Sequence, residues 1–384
     1  MPEGMKKRVF PEKQTAPVMR MLFLFVMLMA ACSCVLWAEK LPFTPTTEVI
    51  ASLAAPPPPP AFAMIDLTFA GDCTLATYNG YDEELIRFPK VYEASGSLTY
   101  PFDNVKHLFA RDDITFINFE GALTTAETAA NKRYFFKGPP EYAAILPASS
   151  IEAVTLANNH TRDYLEQGFS DTITYLQNAG VGTAYEDAPF ITKIEGTPVI
   201  FIAENTAFTE DITEDEAAAR VTRQIEQYKR DDTIVIVNIH WGVELAEKPS
   251  AWQTDAARAW IDAGADLVVG HHPHILQGIE EYKGRHIVYS LGNFAFGGDS
   301  LAMRKETMLL HASFAMTGGI PALAEITITP CHTTSSTTRN RNGTLRNNYR
   351  PAIVTGEEAQ AVKALVLSRS ALLKNGITQI STES

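Results

Sequence analysis

From residue 65 to about residue 330 the chain alternates short apolar runs with longer stretches of helical periodicity. The apolar runs IDLTFA, TFINF, AVTL, IVIVNI and LVV, beginning at residues 65, 115, 153, 234 and 267, have the length and β-branched content of strands. Between them, residues 163–180 carry Leu165, Phe169, Ile173 and Leu176 at helical spacing, with Gly180 as a stop. Residues 213–230 are rich in Glu, Ala, Gln and Arg, which favour helix. Residues 251–263 present Trp252, Ala256, Ala259, Trp260 and Ile261 as a broad apolar stripe that ends at Gly264. Strand, helix, strand order predicts an α/β sheet covered by helices. The later runs at 285–291 and 307–314 have no long helix between them and predict antiparallel or mixed pairing. The polar segment 331–350 predicts a flexible loop. Thr355 and Glu358 then offer a capping box for a C-terminal helix over 355–375, with Val362, Leu365, Val366 and Leu372 as its apolar positions.

The residues that end the first five runs change the picture. They are Asp72, Glu120, the triplet Asn158-Asn159-His160, His240, and the pair His272 and His274 in GHHPH. All are side chains that bind cations or move protons, and ligands of open α/β sheets sit beyond the carboxyl ends of strands. In an extended segment the i, i+2 spacing of His272 and His274 turns both rings to one side. Neutral imidazole is the commonest protein metal ligand, so the pattern predicts one metal-centred site. By the same alternation His271 faces away from it. His107, His286, His311 and His332 lie outside these motifs and are expected to be structural.

Composition and termini add location. The 384 residues, 46% hydrophobic and 20% charged, describe an ordinary globular chain. A net charge of −13 argues against nucleic acid as a partner, which needs a basic face. Lys6, Lys7, Arg8, Lys13 and Arg20 precede an apolar run at 21–38, so residues 1–38 are expected to be a signal peptide or signal anchor. The basic flank stays in the cytoplasm, placing the rest on the extracytoplasmic face of the cell membrane. Residues 29–32 (MAAC) loosely resemble a lipoprotein cleavage site, so anchoring, lipidation at Cys32 and secretion after cleavage all remain open. Residues 39–62, with AAPPPPP, predict a semi-rigid linker to one domain over 63–384. Four cysteines supply no disulfide framework, and Cys73 is expected to point away from the side Asp72 faces.

Taken in order, FAGDCT, INFEGALTT, LANNHTRDY, IVNIHWGVE, VVGHHPHILQGIE and IVYSLGNFAFG resemble the CapA family of bacterial poly-gamma-glutamate capsule-synthesis proteins. That family is similar to the calcineurin-like metallophosphoesterases. The resemblance runs from about residue 65 to the end, and it implies an α/β fold, a four-layer αββα sandwich of the metallophosphoesterase type. It further implies one or two divalent metal ions (Mn, Mg, Fe or Zn). Asp72 would bind the first, Glu120 would stand in the bridging position, and Asn159, His240 and His272 would hold the second. His274 would return to the first, and His160 would be the catalytic acid or transition-state contact. Two departures bear on the first ion. The Asp-x-His of the superfamily is here Asp72-Cys73-Thr74, which removes an imidazole, and Glu replaces Asp at 120. The second set is therefore expected to be the fuller one. Asp163 is expected to pair with His160. Glu244 is expected to orient His240 or meet a substrate amine, and Asn293 to act as a turn cap near the site.

A cation so held lowers the pKa of water towards ~7 and polarises a phosphoryl or carbonyl oxygen. The expected partners are an anionic polymer or phosphoester substrate, the membrane through the N-terminus, and other capsule-synthesis membrane proteins. Three functions follow: a metal-dependent phosphohydrolase, a non-catalytic accessory protein that binds or guides the polymer, and a poly-gamma-glutamate peptide-bond hydrolase. The location is open to direct test. A reporter active only in the cytoplasm, fused after Pro60, should be silent, and full reporter activity would sink the extracytoplasmic assignment.

Overall fold

The computed structural model describes residues 64–78, 87–209 and 212–383. The expected signal or anchor at 1–38 and the linker at 39–62 lie outside the described residues. Short 3-10 turns aside, the chain runs β1 (Met64–Thr74), β2 (Thr77–Tyr78), α1 (Phe88–Ser95), α2 (Lys106–Phe109), β3 (Ile114–Phe119), β4 (Ala122–Leu123), β5 (Phe136–Gly138) and α3 (Ile145–Ala148). Then follow β6 (Ala153–Thr155), α4 (Leu165–Asn178), β7 (Gly182–Ala184), β8 (Phe190–Ile194), β9 (Thr197–Asn205), α5 (Glu214–Tyr228), β10 (Ile234–His240) and α6 (Ala251–Ala263). The chain ends through β11 (Leu267–His271), β12 (Ile279–Tyr282), β13 (Arg285–Val288), β14 (Asn293–Phe296), β15 (Glu306–Thr317), β16 (Ile320–His332), β17 (Ala352–Ile353), α7 (Gly356–Ser370) and β18 (Ser381–Thr382).

Two mixed sheets carry the fold. The first is ordered β17-β16-β15-β1-β3-β6-β7, with β14 beside β1 and β18 beside β16; the second is β12-β13-β11-β10-β9-β8. In each, a parallel centre (β1, β3, β6, β7 and β9, β10, β11, β13) is flanked by antiparallel strands. Parallel strands buried on both faces read as continuous apolar runs, which is why the five runs above lack alternation. One face of each sheet meets the other: Phe69 and Phe116 from the first sheet share a buried cluster with Phe201, Ile236 and Val269 from the second. The Phe116 and Phe201 rings stack at 4.6 Å across this interface.

The outer faces take the helices. Ile117 and Val154 pack with Phe169 and Leu176 of α4. Val235 and Val237 pack with Val221 and Ile225 of α5 and with Ala257 and Trp260 of α6. Helix, sheet, sheet, helix is therefore the order of layers. Both α5 and α6 open on capping boxes, Thr213 with Glu216 and Ser250 with Gln253, and α6 ends at Gly264 in the left-handed region (φ 118).

Four expectations are corrected here. Segment 331–350 is not a free loop: Thr333 N–H donates to Lys305 O, Asn347 Nδ2 donates to Phe296 O and Asp299 O, and Tyr349 is wholly buried. Polar residues hold it through side-chain-to-backbone bonds, a signal that hydrophobic periodicity does not carry. The capping box at Thr355 does not form; Gly356 enters α7 in the left-handed region (φ 58), which takes the Thr355 hydroxyl away from the helix N–H groups. That helix stops at Ser370, leaving Leu372 exposed, and α4 begins two residues late because Asp163 is engaged elsewhere.

The stacked phenylalanines make the inter-sheet core testable. Phe201→Ala should lower stability by about 3–5 kcal/mol in urea unfolding, the usual result of emptying a buried aromatic site. A loss below ~1 kcal/mol would show that the two sheets do not depend on this contact.

Candidate metal centre

The carboxyl ends of the parallel strands from both sheets converge on one place. In β1 the register against β3 slips between Ala70 and Asp72, and the Asp72 N–H bonds Gly292 O instead. Such a bulge re-aims the side chain that follows it. Asp72 then lies opposite Asn118 of β3 on one side and Asn293 of β14 on the other. From the second sheet, His240 ends β10 directly beside His271 of β11. Gly270 is obligatory there, since a Cβ would lie 2.1 Å from Tyr289 O.

His272 and His274 do reach the same site, but not as residues of an extended strand. The chain turns after His271, with His272 at φ 93 and His274 at φ 57. For bulky side chains these are strained conformations, and such strain gathers at functional sites.

The first group is Asp72, Glu120 and His274, whose ligand atoms all lie within 4.8 Å of one another. Asp72 Oδ1 accepts from Asn118 Nδ2 at 2.8 Å and faces His271 Nδ1 at 3.4 Å. Its Oδ2 lies 3.1 Å from His274 Nδ1 yet accepts no well-formed hydrogen bond. His274 Nδ1 instead meets Asn293 Oδ1 at 2.8 Å, which turns Nε2 towards Glu120 Oε1, 4.0 Å away. Glu120 Oε1 is itself buried without a partner. Two orphaned carboxylate oxygens in a fully buried cluster are a free-energy penalty that a cation would remove.

The charges respond accordingly. Burial opposes charge on Asp72, but bonds and proximity to His271 and His274 hold it well below the usual carboxylate range. Burial, with repulsion from Asp72, pushes Glu120 up to about 8. Burial alone would lower His274, yet the carboxylates of Glu120 and Asp72 outweigh it and raise it to about 10. Without a cation the cluster therefore keeps protons on Glu120 and His274.

The second group is Asn159, His240 and His272. His240 Nε2 stands 2.9 Å from Asn159 Oδ1 and 3.1 Å from His272 Nδ1. Adjacent ligands around a cation with bonds of ~2.1 Å are about 3.0 Å apart, so these separations suit one first-row divalent ion. Burial, and then the charge of neighbouring histidines, lowers His240 well below its ordinary value and His272 to about 3. Both are thus neutral imidazoles, the state that ligates. Asn118 Nδ2 faces His240 Nδ1 at 3.2 Å and orients the ring. The residues present fit a divalent ion in either group. The orphaned oxygens and the tightest all-charged set belong to Asp72, Glu120 and His274, so the expectation that the second group is the fuller one finds no support in the geometry.

His160 lies beside both groups. Its Nδ1 meets Asp163 Oδ2 at 2.8 Å, and Asp163 is fixed by Lys132 Nζ at 2.6 Å and the Phe136 N–H at 2.6 Å. Because this carboxylate only accepts, Nδ1 carries the proton and the Nε2 lone pair faces Glu120 Oε1 at 3.9 Å. Burial lowers the His160 pKa despite Asp163, so its resting form is neutral and accepts a proton before it can donate one.

Of the residues singled out from sequence, Asp72, Glu120, Asn159, His160, Asp163, His240, His272, His274 and Asn293 all meet here. Glu244 does not orient His240: it is exposed, and Asn118 takes that position. Cys73 is buried on the opposite side, packed with Ile117 and Phe119. Three contributors were missed. His271 was set aside by strand alternation, but β11 ends and turns at that residue. Asn118 alternates with Glu120 in INFEG, a period-2 signal that could have exposed it. Lys132, which also donates to Asn159 O at 2.6 Å, comes from a segment with no pattern at all.

The family described as bacterial capsule synthesis protein PGA_cap matches residues 66–298, a span holding every residue of the centre. The chain is 32% identical over 252 residues to the PGA biosynthesis protein CapA of Bacillus subtilis (strain 168), covering 61% of this chain and 63% of that one. It is 31% identical over 220 residues to the capsule biosynthesis protein CapA of Bacillus anthracis, covering 51% and 54%. The chain thus spans less than two thirds of either relative. Among solved structures, a hypothetical protein from Thermus thermophilus aligns with a TM-score of 0.44 at 15% identity, covering 70% of this chain and 99% of that one. The 5'-nucleotidase from Candida albicans aligns with a TM-score of 0.38 at 10% identity, covering 81% and 58%.

The stored protons predict a pH signature. The folded, cation-free protein keeps protons on Glu120 to about pH 8 and on His274 to about pH 10. The unfolded chain releases them near ~4.3 and ~6.5. Above pH ~6.5 the folded state therefore binds more protons, and its stability falls as pH rises through the folded values. His240 and His272, with lowered values, have finished titrating below this window. A divalent cation takes the place of those protons, so it should bind more tightly as pH rises and flatten the loss. Thermal unfolding from about pH 6.5 to 9, with EDTA and with Mn²⁺, measures both slopes; equal slopes would rule the cluster out as a cation site.

Proposed function

Because the chain belongs to the PGA_cap family of bacterial capsule synthesis proteins, we propose that it is an extracytoplasmic, membrane-associated hydrolase of poly-gamma-glutamate capsule synthesis that uses one or two divalent cations. The observation that carries this reading is the meeting of six ligand-type side chains from two sheets, with Asp72 Oδ2 and Glu120 Oε1 left unpartnered in the interior. Two face-to-face sheets with helices on both outer faces are also what a metallophosphoesterase-type sandwich requires. The membrane assignment rests on the basic and apolar residues at 6–38.

Asp72, Glu120 and His274 would hold one ion, and Asn159, His240 and His272 the other. Oxygen and imidazole donors without thiolate suit Mn, Mg, Fe or Zn. A bound divalent cation supplies a Lewis acid that polarises a phosphoryl oxygen and eases deprotonation of water. The chain's own residues do the rest. Asn293 and Asn118 fix the ring orientations of His274 and His240. Asp163, clamped by Lys132, fixes the tautomer of His160, as a carboxylate does for an imidazole in general-base catalysis. The Nε2 of His160 accepts the proton released by the attacking water and returns it to the leaving oxygen.

The imidazole absent at Thr74 favours a second reading, a non-catalytic accessory protein that binds the capsular polymer. Hydrolysis of poly-gamma-glutamate peptide bonds would use the same residues as phosphoester hydrolysis. The full chain, stripped and reloaded with Mn²⁺, should release phosphate from a phosphomonoester or shorten poly-gamma-glutamate. His160→Ala should retain bound metal and lose roughly two to four orders of magnitude in turnover. Wild-type protein that binds metal but turns over neither substrate, with His160→Ala still supporting capsule assembly, would establish the accessory reading instead.

A further inference from the structure

Eleven large apolar side chains are strongly exposed among the described residues, and four of them stand on loops around this one centre. They are Phe208 (75% exposed), Met303 (70%), Val243 (68%) and Leu245 (44%). Their placement is not incidental. The Phe208 ring meets the His272 imidazole edge-on at 5.5 Å. The Leu245 N–H bonds Pro273 O, between His272 and His274, at 2.8 Å. Leu245 and Met303 line a small cavity with His274 and Asn293. Val243 belongs to the same loop as Leu245.

Two of these side chains are held outward at a conformational penalty. Phe208 has φ 49 and Leu245 φ 62, a region that bulky residues seldom occupy. Exposed apolar side chains gathered around a site mark a contact surface. On the other side of Phe208 a groove of about 1070 Å³ opens from Asn159, but Arg162, Arg220, Arg223, Glu186 and Glu216 line it, so an apolar chain is not drawn that way. The charged groups on the Leu245–Met303 side are mixed in sign, Glu244 and Asp299 beside Arg304.

We propose that the substrate is an amphiphilic phosphomonoester: a phosphate head at the centre and an apolar chain laid across the rim of Phe208, Val243, Leu245 and Met303. This rests on the reading of the centre as a phosphohydrolase site. In the reaction, the oxygen of water forms the new bond to phosphorus and the bond from phosphorus to the alkoxy oxygen breaks. The proton taken up by His160 Nε2 passes to that oxygen, releasing the long-chain alcohol and inorganic phosphate. The rim acts before any chemistry, by removing the chain from water.

Binding of octylphosphonate and of methylphosphonate, which cannot be hydrolysed, separates this proposal from the reading beneath it. The full chain is used in nanodiscs with Mn²⁺, and empty nanodiscs serve as the reference for calorimetry. Octylphosphonate should bind roughly tenfold tighter or more, since burying even a few methylenes suffices for that ratio. Phe208→Ser/Met303→Ser should bring the ratio close to one, and Val243→Ser, at a position remote from any core, should lower it in the same direction. Equal affinities in the wild type, with methylphosphonate binding lost in Asp72→Asn, would overturn the proposal and leave the phosphate site standing. Failure of both phosphonates to bind would overturn both. A chain-length preference that survives in the rim variants would place the chain elsewhere and overturn the proposal. Rim-dependent dimerisation without a chain-length effect would assign the rim to a second copy, with the same consequence.

Discussion

Asp72 carries a carboxylate in the closed interior between two sheets, and the arrangement around it follows from that burial. An isolated carboxylate there would be protonated or would unfold its surroundings. Three neighbours keep it charged: Asn118 and His271 on Oδ1, and His274 beside Oδ2. Asn118 comes from β3 and both histidines from the end of β11 and the turn that follows it, so the centre exists only when β1, β3 and β11 are brought together at once. The bulge at Gly71 is the local device, because without it the Asp72 side chain would project elsewhere.

That dependence ties chemistry to folding. The inter-sheet core of Phe69, Phe116, Phe201, Ile236 and Val269 sets the separation of the strands that deliver the ligands. The histidines then respond to one another: His274 is held protonated by carboxylates, while His240 and His272 are held neutral by burial and by neighbouring imidazoles. One ring thus holds a proton that a bound cation would displace, and two are in the neutral state that ligation needs. The Asp163–His160 pair adds a proton acceptor at the edge of this charge pattern without belonging to it.

The rim around the centre has the opposite character. Inside, the groups are charged or polar and two carboxylate oxygens stay unpartnered; outside, Phe208, Val243, Leu245 and Met303 meet solvent. A polar interior with an apolar entrance would favour amphiphilic ligands over purely polar ones. It also explains why backbone strain appears in two distinct places, at His272 and His274 within the centre and at Phe208 and Leu245 on its edge.

The sequence by itself determined the strand–helix order, the five strand ends that carry the residues of the centre, and the family, because apolar runs and short motifs are local signals. Residues Asp72, Glu120, Asn159, His160, His240, His272 and His274 were all legible as ends of such runs, and Asn293 only as a turn cap. Tertiary structure alone decided which imidazole serves which carboxylate. Strand alternation put His271 on the wrong side, since nothing local shows that β11 turns at that residue. It decided that Asn118 rather than Glu244 orients His240, because that contact joins residues 122 positions apart in two different sheets. It also pinned the polar segment after His332 and brought scattered apolar residues to the loops around the centre. Periodicity reports which face of an element is buried; only packing reports what that face meets.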